Sequence, residues 1–184
     1  EAKAYEAQAQ ACGGWNGLRR FVVIEKRPES DEITTFVLQP QDGGPVMAFL
    51  PGQYIGIRVM VGGQEQRRQY SLSAASNSVT YQISIKRQPD GKVSNLLHDQ
   101  VEVGNMVDLL PPSGAFTLTD SDKPLVLISG GVGITATLPM LERALEAGRD
   151  VHFIHAARHS GVHAFRDKLE ALESSHPRLR NFYL

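Results

Sequence analysis

The 184-residue chain contains a single cysteine, Cys12. One thiol cannot close an internal disulfide, and it leaves a structural zinc or iron–sulfur centre without ligands. It fits a reducing, cytoplasmic setting. No apolar run reaches the length of a membrane span. The polar start Glu1-Ala2-Lys3-Ala4-Tyr5-Glu6 carries no secretory leader signature. Neither sign of charge dominates: the net charge is −1, which removes the electrostatic case for nucleic acid or a membrane surface as partner. Histidine is absent before His98. The later ones, His152, His155, His159, His163 and His176, do not assemble a ligand set. His152 and His155 lie three apart on a predicted strand and so point to opposite faces. No metal is expected, and single solvated or hydrogen-bonded histidines are the better reading. No Gly-x-Ser-x-Gly elbow exists, so hydrolase chemistry has no nucleophile to rest on. Repeats and low-complexity tracts are also missing.

What is present divides into two textures. A helix-favouring, Ala/Glu/Gln-rich stretch, residues 1–12, ends at Gly13-Gly14, and Trp15 follows as an anchor for the next domain. From residue 19, short segments rich in β-branched and aromatic residues read as strands: Arg20–Arg27, Glu32–Pro40, Tyr54–Val61, Arg68–Ala74, Thr80–Arg87 and Met106–Leu110. Turn signals separate them, among them Asp42-Gly43-Gly44-Pro45, Pro51-Gly52 and Gly62-Gly63. One helix, Ser94–Val101, is inserted. This pattern predicts a closed antiparallel β-barrel of Greek-key type over residues 17–120. Beyond Pro111-Pro112-Ser113-Gly114 and Asp120, strands and helices alternate: Leu125–Ser129, helix Ala136–Ala147, Val151–Ala156, helix His163–Ser174 and Leu179–Leu184. That is βαβαβ material for a parallel sheet over residues 121–184, an incomplete α/β nucleotide-binding domain.

Three motifs carry chemistry. Arg68-Gln69-Tyr70-Ser71 places a cation, an aromatic face and a hydroxyl together. Gly91-Lys92-Val93-Ser94 is a glycine turn opening a helix. A flavin dinucleotide needs these: a guanidinium and free backbone N–H groups for pyrophosphate, an aromatic for the ring system, a hydrogen-bonding group at N5. Each residue alone is an ordinary polar strand position or rim aromatic. Their order after Pro51-Gly52-Gln53-Tyr54 is what is specific. The third motif, Ser129-Gly130-Gly131-Val132-Gly133-Ile134-Thr135, sits between a buried strand and a helix, where N–H groups meet a phosphate. It lacks the six-residue dinucleotide fingerprint, and a tight turn needing glycine is the rival reading. No acid caps the second strand, which ends Ala156-Ala157-Arg158; that arginine either meets a 2′-phosphate or faces solvent.

In this order the motifs resemble the ferredoxin–NADP reductase-like flavoprotein superfamily. Gly13-Gly14-Trp15-Asn16-Gly17, His155-Ala156-Ala157-Arg158 and Val162-His163-Ala164-Phe165 narrow the resemblance to the bacterial flavohaemoglobins, over essentially the whole chain. The resemblance implies a fragment with residues 1–16 as the tail of a globin helix and linker. It implies FAD and NAD(P)H as cofactors, with haem b confined to a globin domain that these residues do not contain. Electrons would pass from NAD(P)H through FAD to that haem partner, where nitric oxide becomes nitrate. Tyr54, Arg68, Gln69, Tyr70 and Ser71 would line FAD, with Tyr70 and Ser71 at the reacting ring. Gly91, Val93 and Ser94 would cradle phosphate by backbone. Gly130, Gly131, Val132, Gly133, Ile134, Thr135 and Ala136 would line the nicotinamide nucleotide. The family usually has proline directly after that threonine; here Ala136 follows and Pro139 comes later, which predicts a helix that starts late. The rival functions are the reductase component of another oxygenase, a free-standing flavin reductase, and a flavin-binding module without turnover.

Overall fold

A computed structural model describes residues 11–184; the helical tail expected for 1–12 lies outside them except for its last two residues. Six strands form one antiparallel sheet: β1 (Arg19–Pro28), β2 (Ile33–Pro40), β3 (Tyr54–Val61), β4 (Gln64–Ser71), β5 (Tyr81–Lys86) and β6 (Met106–Leu109). Their order is β4-β3-β6-β1-β2-β5. The sheet curls until its two edge strands approach, and the chain after β4 bridges to β5 at Leu72 and Ile83. There the Ser73 N–H donates to the Gln82 carbonyl at 2.8 Å. Alternation fills the interior with Phe21, Val23, Phe36, Leu38, Ile55, Ile57, Tyr81, Ile83 and Ile85. Trp15 caps this core from outside: its indole N–H donates to the Leu109 carbonyl at 3.3 Å, and its ring lies 5.8 Å from Phe21.

Strand β4 differs from the expected Arg68–Ala74. It begins at Gln64 because Gly62 and Gly63, at φ +56° and +78°, make a two-residue turn that places Val61 opposite Gln64. Two positive φ values in a two-residue loop match the twist of a hairpin. Gln64-Glu65-Gln66-Arg67 has no β-branched residue to announce a strand. The hairpin turn makes it one, on a solvated edge.

A second, parallel sheet holds β7 (Leu125–Gly130), β8 (Val151–Ala156) and β9 (Leu179–Tyr183), in that order. The helix inserted in the barrel, α1, spans Lys92–Gln100 and so starts earlier than expected. Helix α2 (Ile134–Glu146) follows a 3₁₀ turn at Gly131–Gly133, and α3 (Arg166–Ser175) follows another at Ser160–Val162. The expected late start of α2 is not found, since Pro139 sits inside the helix. Proline there removes one helical hydrogen bond at a cost of about 3 kcal/mol. Burial of Ile134, Leu138 and Leu141 in the second core, worth about 1.5–3 kcal/mol each, outweighs it. One barrel residue, Ile33, belongs to that second core, so the start of β2 is plugged into the nucleotide-binding half.

Candidate functional site

Beyond the Leu72–Ile83 bridge, β4 and β5 separate, and the barrel stays open. The opening is a cavity of about 670 Å³. One wall is β4, through Gln66, Arg68, Gln69, Tyr70 and Ser71; the other is β5, through Ser84 and Lys86. The start of α1, Gly91 to Ser94, contributes one end, and Val132, Gly133 and Thr135 of the second half contribute a further wall. Two glycine motifs from separate cores therefore share one space with Arg68–Ser71. A second cavity of about 510 Å³ also touches Arg68 and Gln69, and it runs past Tyr54, Gly56 and Ser113. Tyr54 stands opposite Ser71 in the β3–β4 ladder.

The side chains suit an anionic, partly aromatic ligand. Arg67 is tied to Glu65 at 2.7 Å. Arg68 has no carboxylate partner among the described residues and only touches the Arg67 carbonyl, at 2.7 Å. Tyr70 is half-buried, and burial pushes its phenol up to about 12, so it remains a neutral donor. In α1 the first helical bond runs from the Asn95 N–H to the Gly91 carbonyl, which leaves the N–H groups of Lys92, Val93 and Ser94 outside the helix ladder. No acidic side chain occupies the first turn. The Ser94 hydroxyl is used internally. It donates to the Gly91 carbonyl at 3.1 Å and accepts from the Gln88 N–H at 3.2 Å, bracing the turn. A Cβ on Gly91 would overlap that hydroxyl and stand 2.7 Å from Gln88 Cβ, so glycine lets the turn close.

At the second motif, Gly131 adopts φ +51°, a conformation glycine takes without strain. Thr135 turns its hydroxyl to the Val132 carbonyl at 2.9 Å. The Ile134 side chain is fully buried in the second core, and Gly130, Gly131 and Ala136 line neither of the two cavities. Beneath the turn, Ser129 Oγ lies 2.8 Å from His155 Nδ1. The Arg158 side chain is exposed and pairs with Glu32 of the barrel.

The fit to a dinucleotide rests on this donor set. A free guanidinium, three helix-start N–H groups and a turn that tolerates no Cβ line a space of the size small-molecule sites have. Sequence reasoning did not single out Gln66, Ser84, Lys86, Gln88 and the carboxylate Asp90, which also line the cavity. Gln82, Ser84 and Lys86 share one face of β5 by the two-residue period, and that polar face was a legible signal.

Comparison with known proteins matches two family models to this chain. Residues 20–118 match an oxidoreductase FAD-binding domain and residues 127–184 an oxidoreductase NAD-binding domain. A flavohemoprotein of Burkholderia sp. (strain TH2) is 59% identical over 184 residues, covering 100% of this chain and 47% of the relative. One from Pseudomonas aeruginosa is 57% identical over 183 residues. The chain thus spans about half the length of the curated relatives it matches. Among solved structures, the flavohem-like FAD/NAD-binding domain of nitric oxide dioxygenase from Vibrio cholerae O1 biovar El Tor superposes with a TM-score of 0.87 at 40% identity, covering 92% of this chain and 74% of that one. A flavohemoglobin from Malassezia yamatoensis with bound FAD and heme superposes with a TM-score of 0.85 at 25% identity, covering 98% of this chain and 49% of that one.

Proposed function

We propose that this chain, which belongs to the oxidoreductase FAD-binding family and within it to the reductase portion of the flavohaemoproteins, passes electrons from NAD(P)H through FAD to a globin haem. The whole protein's reaction on this reading is nitric oxide dioxygenation, nitric oxide to nitrate. The observation that carries it is the shared cavity: the flavin-type residues of β4 and Val132, Gly133 and Thr135 of the glycine turn face one space. We assign residues 17–120 to FAD and 121–184 to the nicotinamide nucleotide, with 1–16 as the tail of a globin helix and linker. The lone exposed cysteine, Cys12, supports a cytoplasmic setting, where thiols stay reduced.

FAD, when bound, accepts an electron pair from the nicotinamide and releases electrons singly to the haem. The chain's own groups bind and orient. Arg68 and the free N–H groups of Lys92, Val93 and Ser94 hold pyrophosphate by charge-assisted bonds. Tyr70 offers its ring face to the isoalloxazine, Ser71 its hydroxyl to the N5 edge, and Tyr54 and Gln69 line the flavin. Residues Gly130 to Ala136 present backbone to the nicotinamide nucleotide.

Arg68→Ala will raise the FAD dissociation constant at least about tenfold, since a hydrogen bond to a charged group is worth about 1.5–3 kcal/mol. Ser71→Ala will leave FAD affinity near that of the parent and slow flavin reduction by NADH. FAD fluorescence titration and anaerobic stopped-flow absorbance measure the two. Equal FAD affinity in Arg68→Ala and the parent chain would remove Arg68 from the site. A purified chain that neither binds FAD nor quenches its fluorescence would end the reading.

A further inference from the structure

Next to the Gly131–Val132 turn lies a small notch that borders the flavin cavity and shares Lys86 and Val132 with it. Its walls are Gly131 and Val132 at the end of β7, Ala156 to Arg158 at the end of β8, and Glu32 and Lys86 from the barrel. In open parallel sheets nucleotides bind at the carboxyl ends of the strands, and an acidic group at the end of the second strand reads the adenosine ribose. Here β8 ends in Ala156-Ala157-Arg158 and supplies no acid. The carboxylate in that position comes from the other half of the molecule: Glu32 accepts from Arg158 and, at 3.1 Å, from Lys86.

We propose that Glu32, presented by the barrel across the junction, is the residue that selects NADH over NADPH at this site. The inference rests on the nicotinamide nucleotide being the ligand of the Gly131–Gly133 turn. A ribose 2′-hydroxyl can donate to the Glu32 carboxylate. A 2′-phosphate carries about −1.5 to −2 charges and has to take Arg158 away from Glu32, then remain beside that carboxylate. The Arg158 side chain is 66% exposed, and an open ion pair of this kind is easily exchanged. Arg158 can therefore leave; Glu32 cannot. Its backbone carbonyl accepts from the Arg87 N–H at 2.7 Å, and the preceding Asp31 N–H donates to the Gly161 carbonyl at 2.9 Å. The next residue, Ile33, is buried in the second core. Arg158 and Lys86 also hold the Glu32 carboxyl below the usual carboxylate range, so it stays charged wherever the nucleotide is used.

The test is equilibrium binding of two flavin-independent probes, 5′-ADP and 2′,5′-ADP, followed by calorimetry. The parent chain will bind 5′-ADP at least as tightly as 2′,5′-ADP. Glu32→Gln will tighten 2′,5′-ADP about tenfold while 5′-ADP weakens or stays within about twofold. Glu32→Asp will keep the parent order, and adding Arg158→Ala to Glu32→Gln will erase the gain, as a double-mutant cycle requires for coupled groups. If both probes bind but Glu32→Gln shifts them equally, the selectivity role is wrong. If the parent chain binds neither probe while still binding FAD, the nucleotide assignment of the turn falls, and this inference with it.

Discussion

Replacing Gly52 by alanine will cost about 3–5 kcal/mol of stability, while the same change at Gly104 will cost about 1. Both glycines hold left-handed backbone, at φ +100° and +91°, so the strain of adding a Cβ is common to the two. Their surroundings differ. A Cβ on Gly104 meets nothing within 4 Å among the described residues, whereas one on Gly52 overlaps the Phe116 carbonyl oxygen and the methyl of Met140. The Met140 tip can rotate, but a backbone carbonyl cannot. Met140 lies in α2 and is buried in the second core. The substitution therefore pushes the Pro51–Gln53 turn away from the nucleotide-binding half and displaces Tyr54 with it. Urea unfolding of both variants separates strain from contact, and equal losses at the two positions would show that no close approach exists at Gly52.

Acid will weaken the parent chain between about pH 6.5 and pH 4, by roughly 3 kcal/mol more than it weakens His155→Gln. His155 is fully buried. Ser129 of β7 satisfies Nδ1, while Nε2 has no partner among the described residues. The His163 ring lies 4.7 Å away, and Tyr183 of β9 flanks His163 at the same distance. Arg166 and Glu170 of α3 complete the charged surroundings of His163. Burial first, and the neighbouring His163 second, lower the His155 pKa from 6.5 to about 4. The folded state thus refuses a proton that the unfolded chain accepts. Above the unfolded value the stability is fully present; it is lost as pH falls toward the folded one. The drop from 6.5 to about 4 corresponds to roughly 3 kcal/mol. Glutamine can keep a bond to Ser129 and does not titrate. Denaturation midpoints at pH 7.5 and pH 4.5 give the comparison, and an identical pH slope in the two proteins would contradict the assignment.

The elements legible in the sequence are those that bury an apolar face. Val151–Ala156 alternates and was read with its observed bounds. Tyr54–Val61 was too, because its β-branched residues stop at two glycines. The first half of β4 was not, since a hydrophilic edge strand has no buried face to print a period. The start of α2 was misread for a related reason: Pro139 is a local signal, and tertiary burial overrode it. At the candidate site, Arg68 to Ser71 and Gly91, singled out by residue type and order, line the larger cavity. The Glu32–Arg158 pair was not legible. Its partners are 126 positions apart, and a single charge pair across a junction leaves no periodic trace. The row of buried Ser129 and His155 with half-buried Tyr183 is aligned by the parallel register, which becomes visible only once strand neighbours are known.

The failure of β4 and β5 to meet beyond Leu72 and Ile83 has a consequence for the protein's handling. Each is the terminal strand of its sheet, so each presents a row of main-chain groups without a ladder partner, and those rows face one another across the opening. An unoccupied pair of edges is a template for another chain. A molecule lodged between them covers both rows at once, much as a seventh strand would. Cofactor loading is thereby tied to colloidal behaviour: preparations saturated with FAD will stay dispersed at concentrations where stripped protein precipitates, with no change in the fold of either core.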